Sequence, residues 1–142
     1  MRVQLGQSVV EFSLIAAVTM SLLLAASDFS RMFFTSIAVN DAARAGAQYG
    51  SQNLVTAADI AGMESAATTD GTNISGLSAT ASQCTCGTST TVAACASNYC
   101  TNNPGATYVT VNTRATFSTF VTYPGIPSST TLTGQAIMQV QQ

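Results

Sequence analysis

The sequence predicts an α+β fold: a long amino-terminal helix, a short second helix and a small antiparallel β-sheet head. Three observations carry this. Ser13 to Ser27 holds no charge, and no proline or strong breaker stands between Ser8 and Gly50. Apolar and polar residues alternate from Tyr108 onward. Four cysteines, Cys84, Cys86, Cys95 and Cys100, crowd one short window after the helical part.

In chain order, residues 1–6 read as a very short leader with one positive charge, Arg2. The positive-inside bias puts that end on the cytoplasmic side. A secretory signal peptide has a longer head and a cleavage site beyond its apolar core, whereas here the core follows Gly6 and stays in the mature chain.

Residues 7–50 are expected to form one amino-terminal membrane helix. Val9 to Ala26 is apolar all round apart from Glu11 and scattered hydroxyls, and roughly 18–20 helical residues cross a bilayer core. The pattern continues with Phe29, Met32, Phe33 and Ile37 at helical spacing, and with Asp28–Arg31 and Asp41–Arg44 as i,i+3 pairs. One helix is expected from about Ser8 to Tyr49, on the order of 60 Å long, its first half in membrane and its second half amphipathic.

Residues 51–142 form the head. Thr56 is a candidate N-cap with Asp59 three residues on, opening a helix to about Ala67. Asp70-Gly71-Thr72-Asn73 is a turn signal. In Tyr108 to Thr122, Val109, Val111, Ala115, Phe117 and Val121 share one parity, as a half-buried strand requires. Tyr123-Pro124-Gly125-Ile126-Pro127 is a turn, and Thr131 to Gln141 alternates again with Leu132, Ala136, Met138 and Val140 inward. Ile74 to Cys86 is a weaker strand.

Composition excludes several functions. Charged residues are 7% of the chain, against about a quarter in an ordinary soluble domain. A Ser, Thr, Asn, Gln and Ala surface suits a polymer with large buried interfaces, or a glycosylated exterior. Without His or Lys the chain cannot build a Ser-His-Asp triad, a His-metal site or a Schiff base. Arg2, Arg31, Arg44 and Arg114 are too scattered to track phosphates. No enzyme activity, cofactor or nucleic-acid partner is expected. In an exported chain the cysteines imply two disulfides. Cys84 and Cys86 are too close to pair comfortably, so the bridges cross to Cys95 and Cys100 in an order the spacing leaves open. A four-thiolate zinc site is the rival reading.

Glu11 is the residue that most demands a function. A carboxylate inside lipid costs roughly 2.5–3.5 kcal/mol on insertion scales, so it should have a partner. A cut after Gly6 would make Gln7 a new amino terminus one helical turn away.

Gly6-Gln7-Ser8-Val9-Val10-Glu11-Phe12, then Asp28-Phe29-Ser30-Arg31-Met32-Phe33-Phe34, then Ala38-Val39-Asn40-Asp41-Ala42-Ala43-Arg44-Ala45-Gly46-Ala47 together resemble the TadE-like family. These are pilin-like proteins of tight-adherence (type IVc) pilus systems, with a type IV pilin-like signal. The resemblance covers about the first third of the chain. It implies a prepilin peptidase cut between Gly6 and Gln7, with Glu11 as the assembly carboxylate beside Phe12. It also implies a precursor in the inner (cytoplasmic) membrane that becomes an extracellular filament of identical or related subunits.

Blander readings stand beside these. Glu11 could be an idle snorkelling carboxylate. Gly46 and Gly50 could form a small-xxx-small contact face, although Gly50 reads more simply as a helix stop. The aromatics read as packing, and the two ion pairs as solvated pairs worth a few tenths of a kcal/mol. Asn73-Ile74-Ser75 is a weak glycosylation match. The rival roles are a minor pseudopilin that primes or tips a fibre, and a monotopic membrane-anchored adhesin.

Overall fold

The computed structural model describes residues 5–87, 92–100, 104–122 and 125–141. Most of the expected leader and the Tyr123-Pro124 part of the expected turn lie outside them.

Helix α1 (Leu5–Ser51) runs 47 residues without a break. Its amino-terminal half stands clear of the rest of the protein: the most apolar 18-residue window has a mean hydropathy of 2.1 and is 0% buried. This helix is long and apolar enough to cross a membrane. Its hydroxyls do not spoil that. Ser13, Thr19 and Ser21 donate to the carbonyls of Val10, Ile15 and Val18, each at 2.8 Å, so each side chain is satisfied within the helix.

The second half of α1 is one wall of the head, but not by the face its bulky residues suggest. Val39, Ala42, Ala43 and Ala47 are fully buried, whereas Phe29 and Phe33 are 71% and 57% exposed and Ile37 is exposed too. Of the four apolar residues singled out by spacing, only Met32 packs on the core. The inward stripe is small because the helix lies very close to its neighbours.

Close approach also explains the two glycines. A Cβ on Gly46 would sit 2.7 Å from the Met63 carbonyl oxygen, and one on Gly50 would collide with the Met63 thioether. Gly50 is therefore no stop: α1 passes through it to Ser51. The small-xxx-small face is used within the chain.

The expected second helix is two helices, α2 (Leu54–Ala58) and α3 (Ile60–Asp70). The first cap is Asn53, whose side chain accepts from Val55 and Thr56 N–H, while the Thr56 hydroxyl accepts from Asn53 N–H to close a capping box. Thr56 is thus the partner of the cap and not the cap. Asp59 leaves helical geometry and caps α3 by accepting from Gly62 N–H at 2.9 Å. Gly71 closes α3, and the expected turn follows.

Strands β1 (Ser78–Thr85), β2 (Ala93–Ala94), β3 (Thr107–Ser118) and β4 (Ser129–Gln139) form one sheet in the order β2-β1-β3-β4. The β1–β3 and β3–β4 pairings are antiparallel, as expected. The two-residue β2 runs parallel to β1, so the sheet is mixed. Along β3 burial alternates from Thr107 to Phe117. The strand ends at Ser118, however, and leaves Val121 partly exposed in the hairpin loop instead of inward on the sheet. On the open side of β1, Ala81 N–H donates to Glu64 of α3 at 3.1 Å, which satisfies a donor that a sheet edge would otherwise expose.

The core has two parts. Ala43, Ala47, Met63, Ala67, Val109, Val111 and Val140 fill one, and Val39, Ala115, Phe117 and Leu132 fill the other. Between them Thr113 donates its hydroxyl to Val39 O at 2.7 Å. Opposite Thr113, a Cβ on Gly134 would meet that same carbonyl at 2.7 Å. Helix backbone and sheet touch there with nothing between.

Candidate assembly helix and its junction with the head

The Gly6–Gln7 bond lies in the first turns of α1, which begins at Leu5. Gln7 and Glu11 are four residues apart on one helix and therefore share a face. Both are exposed, and Phe12 beside them is 72% exposed. Among the described residues no ion pair or hydrogen bond from a side chain reaches the Glu11 carboxylate. An anionic acceptor on a bare apolar helix can take an ammonium group or another strong donor brought by a second molecule.

The end of the bare segment is marked by Asp28, and here the structure departs from expectation. Asp28 is 5% exposed and is not a solvated half of an ion pair. Both its carboxylate oxygens lie 3.1 Å from Phe120 N of the β3–β4 hairpin loop. Arg31 Nη1 donates to Oδ1 at 3.2 Å, and the Arg31 guanidinium lies over the Phe120 ring, 3.6 Å from its centroid. Helix and hairpin are clamped together at this level. No sequence signal marks Asp28 as buried, because its partner is a backbone N–H far along the chain. Asp41–Arg44, at 3.6 Å with both side chains more than half exposed, is a solvated pair as expected.

At the other end of the head, Tyr49 donates its hydroxyl to Asp59 Oδ2 at 2.8 Å. That bond, with Gly62 N–H, holds the Asp59 carboxyl below its ordinary range. In turn Asp59, through the hydrogen bond and its charge, pushes the Tyr49 phenol up. Gln141 N–H donates to Ser51 O at 2.9 Å, fastening the last strand to the helix end.

The cysteines are paired as Cys84–Cys95 and Cys86–Cys100. They pin β2 and the four-residue α4 (Ser97–Cys100) to the rim of β1. The sulfurs of Cys86, Cys95 and Cys100 lie within 4.8 Å of one another. That closeness reflects adjacent disulfides, and no thiolate is left to serve as a zinc ligand.

No curated protein and no solved structure gives a match. A family model does: residues 6–48, which include the Gly6–Gln7 bond, Glu11 and Asp28, match the model described as TadE-like protein. The amino-terminal helix of this chain is therefore similar to the TadE-like family over about the first third of the sequence.

Proposed function

We propose that this chain is a structural, pilin-like subunit of a Tad (type IVc) pilus. It is stored in the cytoplasmic membrane through α1, cut after Gly6 by a prepilin peptidase, and polymerised through the same helix. It is a substrate of processing and not a catalyst. The similarity of residues 6–48 to the TadE-like family supports an association with Tad pilus machinery; the cut and the polymerisation are inferred.

The observation that carries the reading is the bare half of α1. Ten large apolar side chains from Val9 to Leu24 are exposed. Burying each is worth roughly 1.5–3 kcal/mol, so keeping them all in water forgoes as much as a whole domain's net stability of about 5–15 kcal/mol. They need lipid or sister helices. Lipid tails are as apolar as Leu, so leaving them for a fibre gains little from burial alone. The polar pair formed by Glu11 and a neighbour's freed Gln7 amino group would then set register, and removing one partner of a buried pair costs about 3–5 kcal/mol.

Amino-terminal sequencing of surface filaments should begin at Gln7. Glu11→Ala should stay in the membrane and fail to enter filaments; normal incorporation refutes the assembly role. An intact Met1 in a detergent-soluble monomer would instead identify a monotopic anchor. The TadE-like match favours a minor subunit over the main building block, and subunit counting in purified filaments decides between them.

A further inference from the structure

The β3–β4 hairpin loop carries an apolar tip that the assembly reading leaves unused. Phe120 is 72% exposed and Ile126 59%, with Val121 exposed beside them. Their height is fixed by a groove of about 350 Å³ between loop and helix, lined by Ala25, Phe29, Met32, Phe117 and Ile126 together with Asp28. Ala25 belongs to the charge-free run, so the loop reaches below the first charge after Glu11. Val9 to Ala26 spans about 27 Å of helix, close to one hydrocarbon core. A helix that crosses the bilayer with this run holds Ile126 at the boundary where acyl chains meet headgroups.

The chemistry of the rim agrees. The Arg31 guanidinium, on a side chain that is 42% exposed, lies over the Phe120 ring, Phe29 and Ile126 line the groove beside it, and Asp28 at this level is turned inward. The next acid along the helix, Asp41, is roughly 15 Å further up from Arg31. Exposed apolar side chains around a cation, without an exposed acid, suit an interface of acyl chains and phosphates.

We propose that the β3–β4 hairpin is a second membrane contact, seating Phe120, Val121 and Ile126 in the outer leaflet while the chain is stored. The proposal rests on the reading that α1 spans the bilayer. The contact holds the head upright on the membrane, and extraction into a fibre must release it together with the helix.

The chain has no Trp, so single tryptophans report without background. Full-length Ile126→Trp, Leu22→Trp and Val55→Trp are reconstituted at low density in phosphatidylcholine vesicles, with and without brominated acyl chains. All three sites are exposed, so the fold is kept. Leu22→Trp should be quenched as a span residue, Ile126→Trp should also lose emission and shift to the blue, and Val55→Trp at the far end of the head should do neither. Quenching at Leu22 without quenching at Ile126 overturns the hairpin contact and leaves the span intact. A blue shift at Ile126 without lipid quenching assigns the patch to a second protein copy and overturns it too. Equal quenching at Val55 means that the head lies flat, and no quenching at Leu22 removes the spanning helix itself.

Discussion

Replacing Asp28 with Ala separates a surface ion pair from a structural clamp. As an exposed i,i+3 pair, Asp28–Arg31 would contribute about 0.2–0.5 kcal/mol, and its loss would barely move an unfolding curve. The structure gives a larger figure. Phe120 N–H reaches both carboxylate oxygens at 3.1 Å, which counts as one charge-assisted hydrogen bond worth about 1.5–3 kcal/mol. The Arg31 contact adds only a few tenths because that side chain is 42% exposed. The expected cost is therefore about 2–3 kcal/mol, a fall in melting temperature of roughly 10–16 °C for a head of about 90 residues. Asp28→Asn keeps one acceptor and should lose about half. Full-length protein in detergent, followed by thermal unfolding and by hydrogen exchange at the Phe120 amide, reads both quantities. Asp28→Ala should speed exchange at that amide selectively and expose the 119–128 loop to protease. A melting shift within error, with unchanged exchange at Phe120, would refute the clamp.

Gly46→Ala and Gly50→Ala gain the same helix propensity, about 1 kcal/mol, but the new methyl meets backbone at Gly46 and a flexible thioether at Gly50. Gly46→Ala should be destabilised by a net 1–2 kcal/mol or so and Gly50→Ala by less, as chemical denaturation would show; the reverse order contradicts the packing. The Tyr49–Asp59 bond predicts two pH limbs. Asp59, lowered on folding, contributes stability above its unfolded value that is lost as pH falls through the folded one. Tyr49, raised on folding, contributes stability below its unfolded value that is lost as pH rises through the folded one. Tyr49→Phe should flatten the alkaline limb and weaken the acid limb, where Gly62 N–H still acts; superimposable profiles contradict it. The disulfides close loops of 11 and 14 residues, worth about 2.7 and 3 kcal/mol on the chain-entropy account. Cys84→Ser/Cys95→Ser should free β2 first, seen as faster exchange at position 95, whose N–H donates to Thr85 O at 3.2 Å.

Much of this architecture is legible in the sequence because its strongest signals are local. The unbroken run to Gly50 gives α1, and the parity of Val109, Val111, Ala115 and Phe117 gives the inward face of β3. The departures have separate physical causes. Phe29, Phe33 and Ile37 look like a packing stripe by size, yet the side that packs is Val39, Ala43, Gly46, Ala47 and Gly50. Hydrophobicity rewards bulk, whereas close approach to a sheet requires its absence. Asn53 and Thr56 are both good capping residues by type, and only their reciprocal bonds, a matter of geometry, make Asn53 the cap. Nothing local distinguishes Asp28 from Asp41, since only the long-range arrival of Phe120 does so. Glu11 is the opposite case, legible because its cost in lipid needs no knowledge of the fold.

On the proposed function, the two faces of α1 would let one helix pass from lipid to a fibre without disturbing the head. From Asp28 to Gly50 the head-facing stripe is small and locked, by Thr113 onto Val39 O, by Met63 against Gly46 and Gly50, and by Phe120 onto Asp28. Every one of these contacts lies above the charge-free run, so exchanging lipid for protein around residues 9–24 breaks none of them. The bulky residues that continue upward on the outer side, Phe33, Phe34 and Ile37, extend the apolar surface past the bilayer by about two turns. A helix that only anchored its head would have no need of that extension. Sister helices in a fibre would cover it, and the small inward stripe leaves it wholly available to them. Asp28 lies at the lower limit of the packed half, which is where a clamp joins the bare segment of the helix to the head.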